Sequence, residues 1–166
     1  MGRDIYRRRI LEVGCGIGRL TKPLSSKATH ITAIDLCERM LRRAEEAITK
    51  NHHKVTFVHD FAQNYRTRKR FDVAISCLML VHNVDPDEFE VVVEVMCRSA
   101  RTVFVFEDVT RERNTSVHTR LRTKEEIKKA FETHGFQLAR EESSKLSHDT
   151  IAFFKFVEEE RVKTRK

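Results

Sequence analysis

The residues best suited to chemistry are the acid and glycines of one short segment near the N-terminus. Glu12 is followed by Gly14, Gly16 and Gly18 at alternate positions, with Cys15 between the first two glycines. Glycines at this spacing form a turn in which the backbone approaches a ligand closely. A carboxylate directly before such a turn suits a cationic or amine-bearing ligand better than a pyrophosphate, so the segment predicts a site for that kind of ligand.

A dinucleotide-binding turn is the main alternative for this segment. That turn has the pattern G-x-G-x-x-G, in which the third glycine lets the following helix pack closely. Here the third glycine, Gly18, comes one residue early, and Arg19 occupies the later position. A nicotinamide-dependent oxidoreductase therefore remains an alternative function, and both Arg19 and Glu12 argue against it.

Further polar residues follow predicted strands. Asp35 ends a buried strand over 30–35, and Asp60 follows an alternating strand over 54–59. His82 comes just after a strand over 71–77, and Asp108 follows a strand over 101–107. Ligands of open α/β sheets lie outside the carboxyl ends of the strands, so all four residues are expected near one site.

His82 and Asp108 are the candidate catalytic pair. Both are expected at the mouth of the site, where a histidine and a carboxylate together can remove a proton from an amine or a hydroxyl. Each residue also has a plainer interpretation. His82 is then a structural residue or one at the edge of a cofactor, and Asp108 is an acid in a turn.

Strands alternate with helices along most of the chain. We predict a strand over 9–13 before the glycines and helices over 19–27, 37–50, 86–99 and 124–134, with strands over 136–140 and 150–157 closing the chain. This order predicts an α/β fold, a doubly wound and mostly parallel seven-stranded sheet with an antiparallel last strand. Residues 109–122 are expected to form a charged loop.

Four blocks of the sequence together resemble the class I S-adenosylmethionine (SAM)-dependent methyltransferases. The E-x-G-x-G-x-G pattern over 12–18 resembles motif I of that family, and Asp35 stands where the family has its ribose-binding acid. The block over 71–82 is similar to the family's strand 4 segment, and 122–136 to its late helix ending in Gly-Phe. The resemblance covers about residues 8–157.

The resemblance implies a methyltransferase that uses SAM as its cofactor. Asp35 is then expected to accept hydrogen bonds from both ribose hydroxyls, and Asp60 to meet the adenine amine. Leu36 and Phe61 are expected to flank the adenine, and Cys77 to contribute backbone. The complete expected cofactor-binding set is Glu12, Gly14, Cys15, Gly16, Gly18, Asp35, Leu36, Asp60, Phe61 and Cys77.

The methyl acceptor is much less well marked in the sequence. Residues 16–22, His82 and Glu107-Asp108 also resemble the protein α-N-terminal methyltransferases, a weaker likeness. That family has a tryptophan where this chain has Leu78 and an asparagine where it has Val109. A small molecule, a protein amine and RNA therefore remain as acceptors.

Length and composition limit the remaining choices. The 166 residues suit one methyltransferase domain over 1–157 with a charged tail over 158–166. No apolar run is long enough to span a membrane, no secretory signal is present, and the four cysteines have neither disulfide-framework nor metal-ligand spacing, so we expect a cytoplasmic protein without a metal. The net charge of +7 permits RNA or another anionic partner.

The sequence is short in the places where related enzymes build their acceptor sites. Only a few residues precede the first strand, and residues 61–70 are too few for much helix. We therefore expect an open SAM site or one that a partner subunit covers. A non-catalytic SAM-fold subunit that stabilises a partner is the second alternative function.

Overall fold

The computed structural model of the protein describes residues 2–48, 50–109, 114–146 and 149–159. Nine strands lie in these ranges: β1 (Arg9–Val13), β2 (His30–Asp35), β3 (Val55–His59), β4 (Phe71–Cys77), β5 (Ala100–Val109), β6 (Asn114–Thr115), β7 (Arg120–Leu121), β8 (Phe136–Leu146) and β9 (Asp149–Glu158). The predicted limits of β1, β2 and β4 are correct. The predicted tail over 158–166 falls mostly outside the described residues.

Seven of these strands form one sheet in the order β3-β2-β1-β4-β5-β9-β8. The first five strands of that order are mutually parallel, whereas β9 runs antiparallel to both β5 and β8. This topology confirms the predicted fold class. Since β2 and β4 flank β1 on opposite sides, connections leave β1 and β4 in opposite directions, and a crevice opens at their carboxyl ends.

The described residues also form five α-helices beside the sheet: α1 (Gly2–Ile5), α2 (Thr21–Ser25), α3 (Glu38–Ala47), α4 (Pro86–Ser99) and α5 (Lys124–Thr133). Asp85 caps α4 through its side chain, which accepts hydrogen bonds from the amides of Asp87 and Glu88. Thr123 and Glu126 form the predicted capping box of α5. The predicted helix over 19–27 shrinks to α2, and α1 was not predicted.

Two parts of the chain after β4 differ from the sequence prediction. Strand β5 continues to Val109 because its residues from Thr102 onward pair with β9. The expected loop over 109–122 contains a small hairpin, in which β6 pairs with β7. As a result, Asp108 lies inside β5, opposite Ile151, and not after the strand.

The core lies on both faces of the sheet. One buried cluster contains Val92 of α4 and Phe131 of α5, and the other contains Leu24 of α2 and Leu41 of α3. Both faces are therefore covered, as a parallel sheet requires. Among the described residues, no helix has the length and apolar character needed to cross a membrane.

Candidate active site

A cleft of about 720 Å³ opens at the carboxyl ends of β1, β2 and β4. Most of the residues predicted to bind a cofactor line it. They are Glu12, Gly14, Cys15, Gly16, Asp35, Leu36, Asp60, Phe61 and Cys77, and the candidate catalytic residue His82 joins them. Gly18 is not part of this lining. It packs instead against α3, where an added Cβ would lie 3.0 Å from that of Ala44.

The glycine turn is fixed to the neighbouring strand. The amides of Gly14 and Cys15 both donate to the carbonyl of Ile34, at 2.9 and 3.0 Å. Gly16 has a φ of +54°, and the nearest atom to an added Cβ, the sulfur of Met40, would be 4.0 Å away. The turn therefore presents bare backbone to the cleft at Gly16, which leaves room for a ligand.

Asp35 connects the glycine turn to the start of α3. Its Oδ2 accepts from the Gly16 amide at 2.7 Å, and its Oδ1 accepts from the Cys37 amide at 2.8 Å. Each carboxylate oxygen can accept a second hydrogen bond. Asp35 can thus hold the turn in place and still accept a hydrogen bond from a ligand on each oxygen.

Glu12 is the buried acid of the cleft, with 3% of its surface exposed. Its Oε2 has no hydrogen-bond partner among the described residues, and neither has the hydroxyl of Thr21. Burial raises the pKa of Glu12 to about 7, and the nearby charge of Asp35 contributes to this rise. The hydroxyl and the amide of Thr21 oppose the rise, although the hydroxyl does not reach hydrogen-bond geometry. A buried carboxyl in this state gains most from a cationic donor.

The end of the cleft beside β2 and β3 is apolar at its rim. Leu36 and Phe61 are 54% and 51% exposed. The Oδ1 of Asp60 accepts from the Phe61 amide at 2.7 Å and from the Asn64 side chain at 2.8 Å. Asp60 therefore shapes the turn after β3, and the two apolar side chains can cover a flat ring.

The opposite wall comes from the loop after β4, where His82 ends a short 3-10 turn over Leu80–His82. Its Nδ1 lies 3.4 Å from the carbonyl oxygen of His118, in the tip between β6 and β7. A carbonyl oxygen only accepts, so this contact favours the tautomer with the proton on Nδ1 and leaves Nε2 able to take a proton. Asp108 is not part of the cleft lining, so the structure does not bring the predicted pair together there.

The sequence predicted no role for two residues of the loop after β4, Leu78 and Met79. Leu78 has a φ of +51° and is 46% exposed at the cleft, whereas Met79 turns inward against Gly14. The sequence carries no signal for a leucine in this left-handed conformation, which favours glycine. Burial, together with the charges of Glu107 and Glu12, raises the pKa of the Cys77 thiol, which speaks against Cys77 as a nucleophile.

A second buried carboxyl, Glu107, lies beneath this loop. Burial raises its pKa to about 8, against the opposing effect of nearby amides and of Arg122. The described residues contain no cluster of three or more histidine, cysteine, aspartate or glutamate side chains able to hold a metal ion.

The two buried carboxyls predict an unusual dependence of stability on pH. Because the pKa values of Glu12 and Glu107 in the folded state exceed the ordinary value, the folded protein binds more protons than the unfolded chain above about pH 4.5. The free energy of unfolding should therefore fall as pH rises toward 7–8, by up to about 1.4 kcal/mol per pH unit for each carboxyl. Urea titrations between pH 5 and 8 measure this slope.

The matched variants Glu12→Gln and Glu107→Gln separate the two contributions. Each variant should reduce the fall in the free energy of unfolding with rising pH. Glu12→Gln should do so up to about pH 7, and Glu107→Gln up to about pH 8. A wild-type slope that neither variant changes would contradict the assignment.

Comparisons with known proteins bear on the family and the fold. Residues 10–102 match the family model described as "Methyltransferase domain". Ubiquinone biosynthesis O-methyltransferases from Rickettsia typhi and Aromatoleum aromaticum are 33% identical over 82 residues and 32% over 81 residues. The matches cover 49% and 48% of this chain but only 33% and 35% of those proteins, so the chain spans about a third of the length of these relatives.

Solved structures share the fold over nearly the whole chain. Magnesium protoporphyrin IX methyltransferase from Synechocystis, solved with bound SAM, has a TM-score of 0.78 at 18% identity and covers 93% of this chain and 72% of its own. A structure described as a putative RNA methyltransferase from Pyrococcus horikoshii has a TM-score of 0.80 at 13% identity, covering 96% and 77%. At these identities the likeness supports the fold alone.

Proposed function

This chain belongs to the class I SAM-dependent methyltransferase family, and from that premise we propose that it binds SAM in the cleft and transfers the methyl group to an acceptor beside His82. The observation that carries the proposal is Glu12, a buried carboxyl at the cleft with an unpartnered oxygen beside a bare glycine turn. SAM carries an ammonium group, two ribose hydroxyls and an adenine. The cleft offers a matching group for each.

The residues present fit the cofactor part by part. Glu12 would accept from the ammonium group, and the two free acceptor positions of Asp35 would meet the ribose hydroxyls. Leu36 and Phe61 would flank the adenine, and Asp60 lies at the same end of the cleft. Gly16 leaves space for the methionine part next to the backbone.

The protein's chemical task is then small. When bound, SAM supplies a methyl group on a sulfonium whose thioether leaves with the bonding electron pair. The fold has to hold the acceptor in line with that bond, and positioning supplies most of the rate. Where the acceptor arrives protonated, Nε2 of His82 is the atom that takes its proton.

The titration of Glu12 gives a specific test by calorimetry. With a pKa of about 7, Glu12 is mostly protonated at pH 6, and an ammonium partner would displace its proton. Binding of SAM at pH 6 should therefore release close to one proton, measured as the dependence of binding heat on the ionisation enthalpy of the buffer. Glu12→Gln should abolish the release and weaken binding about 10-fold or more.

NAD is the control ligand, and we expect no binding. Binding of NAD without binding of SAM would instead support an oxidoreductase. Absence of SAM binding by the isolated chain would overturn the proposal as stated and favour the second candidate, a subunit whose site is completed by a partner. The half-exposed Leu36, Phe61 and Leu78 around the cleft are the observation that favours this candidate.

The acceptor is proposed by class. The relatives named as ubiquinone biosynthesis O-methyltransferases put an oxygen atom of a small molecule first, and a protein amine and RNA follow. Transfer of a tritiated methyl group from SAM into fractionated cell extract separates these classes by the fraction that takes up the label. The free thiols of the four described cysteines support a reducing, cytoplasmic setting for the reaction.

A further inference from the structure

Two buried ionisable side chains, Glu107 and Arg122, hold the loop that carries His82. Glu107 and Arg122 are 2% and 4% exposed, and neither lines the cleft. Charged side chains are rarely buried to this degree because they lose their hydration. Both side chains form hydrogen bonds with the backbone of residues 80–83, and Arg122 also donates to the carbonyl of Arg120 at 3.4 Å.

Glu107 holds the loop from the strand side. Its Oε2 accepts from the amide of Val81 at 3.2 Å, 26 positions away in sequence. The amides of Leu80 and Asp108 also oppose the rise in the pKa of this carboxyl, although its Oε1 has no hydrogen-bond partner among the described residues. The carboxyl oxygen satisfies the amide of Val81, which an apolar side chain at position 107 would leave without this partner.

Arg122 holds the loop from the other side. Its Nη1 donates to the carbonyl of Leu80 at 2.9 Å, and its Nη2 donates to that of Asn83 at 2.5 Å. The guanidinium lies 3.7 Å above the ring of Phe89, which fixes its plane. The backbone of Arg122 also bridges Val109 at the end of β5. Only a planar cation with several donors can meet both carbonyls at once.

We infer that Glu107 and Arg122 are positioning residues that hold the loop over 80–83 so that Nε2 of His82 faces the acceptor side of the cleft. The inference rests on the proposed function, because the orientation of His82 matters only if an acceptor meets it there. Glu107 accepts a hydrogen bond from an amide of the loop and Arg122 donates to two of its carbonyls, so the loop is held through both kinds of backbone group. The sequence distance between the partners explains why the arrangement has no local signature.

The experiment compares Arg122→Ala and Glu107→Ala with a matched control, Arg70→Ala. Arg70 also donates to two backbone carbonyls, those of Cys97 and Ala100, but it precedes β4 at the opposite end of the sheet. Glu107→Gln is the conservative variant, because its amide oxygen can still accept from Val81. The measurements are hydrogen exchange of the amides over 80–83, the ¹⁵N signals of the His82 imidazole, and SAM affinity.

Arg122→Ala and Glu107→Ala should each speed hydrogen exchange of the amides over 80–83 at least 10-fold relative to the amides of β1. Each should also move the His82 signals toward a mixture of tautomers. Arg70→Ala should leave the His82 signals unchanged, and Glu107→Gln should restore most of the wild-type pattern. The SAM affinity of these variants should stay within about 3-fold of the wild-type value, because neither Glu107 nor Arg122 lines the cleft.

Unchanged His82 signals in both Arg122→Ala and Glu107→Ala would overturn the inference, and the two side chains would then have a structural role only. An equal change in Arg70→Ala would overturn it as well. Failure of the wild-type chain to bind SAM would count against the proposed function. The exchange and tautomer results would still test whether Glu107 and Arg122 hold the loop over 80–83.

Discussion

Replacing Asp35 with alanine is expected to lower the affinity for SAM at least about 100-fold. Hydrogen bonds to a charged group contribute about 1.5–3 kcal/mol each, and Asp35 has one free acceptor position on each oxygen for the ribose hydroxyls. The variant also leaves the amides of Gly16 and Cys37 without their carboxylate, so the turn should become looser. Calorimetric titration of the folded variant with SAM measures the loss.

Asp72→Ala is the matched control for this variant. The Oδ2 of Asp72 accepts from the amide of Arg9 at 2.9 Å, so the control also removes an aspartate from a backbone amide, but at the amino ends of β1 and β4. We expect SAM affinity within about 3-fold of wild type for Asp72→Ala. Retention of full affinity by Asp35→Ala would refute the ribose assignment.

The ends of the strands that form the site could be predicted because the residues that mark them are neighbours in sequence. Gly14 directly follows β1, and Asp35 ends β2, so a residue at each strand end marks where the strand stops. Parallel strands bring their carboxyl ends to one edge, so acids at those ends come together whatever the loops do. This is why nine of the ten predicted cofactor-site residues line one cleft.

The remaining features depend on tertiary pairing and carry no local signal. Strand β5 reaches past Asp108 because β9 lies beside it, and that pairing removes Asp108 from the expected turn. Gly18 was predicted to bind cofactor because it belongs to the motif, but its neighbour is Ala44 of α3. Glu107 and Arg122 act on backbone groups far away in sequence, and a pattern of side chains does not reveal such contacts.

The effect expected to be largest on the fold is that of Gly14→Ala. Gly14 has a φ of +72°, and an added Cβ would lie 2.3 Å from Cγ and 2.7 Å from Cβ of Met79. The left-handed conformation alone costs a non-glycine residue about 1–2 kcal/mol, and overpacking adds about 1–3 kcal/mol. We expect the free energy of unfolding, measured by urea titration, to fall by about 2–5 kcal/mol.

Gly135→Ala separates the two causes of that loss. Gly135 has nearly the same φ, +76°, but no atom within 4 Å of an added Cβ, so this variant should show the conformational cost alone. Met79→Ala in the Gly14→Ala background removes the nearer overlapping atom and keeps the farther one, so it should recover part of the additional loss in a double-mutant cycle. A Gly14→Ala variant no less stable than Gly135→Ala would show that Met79 yields freely. The loop after β4 would then be held in place by Glu107 and Arg122 and not by the contact between Met79 and the glycine turn.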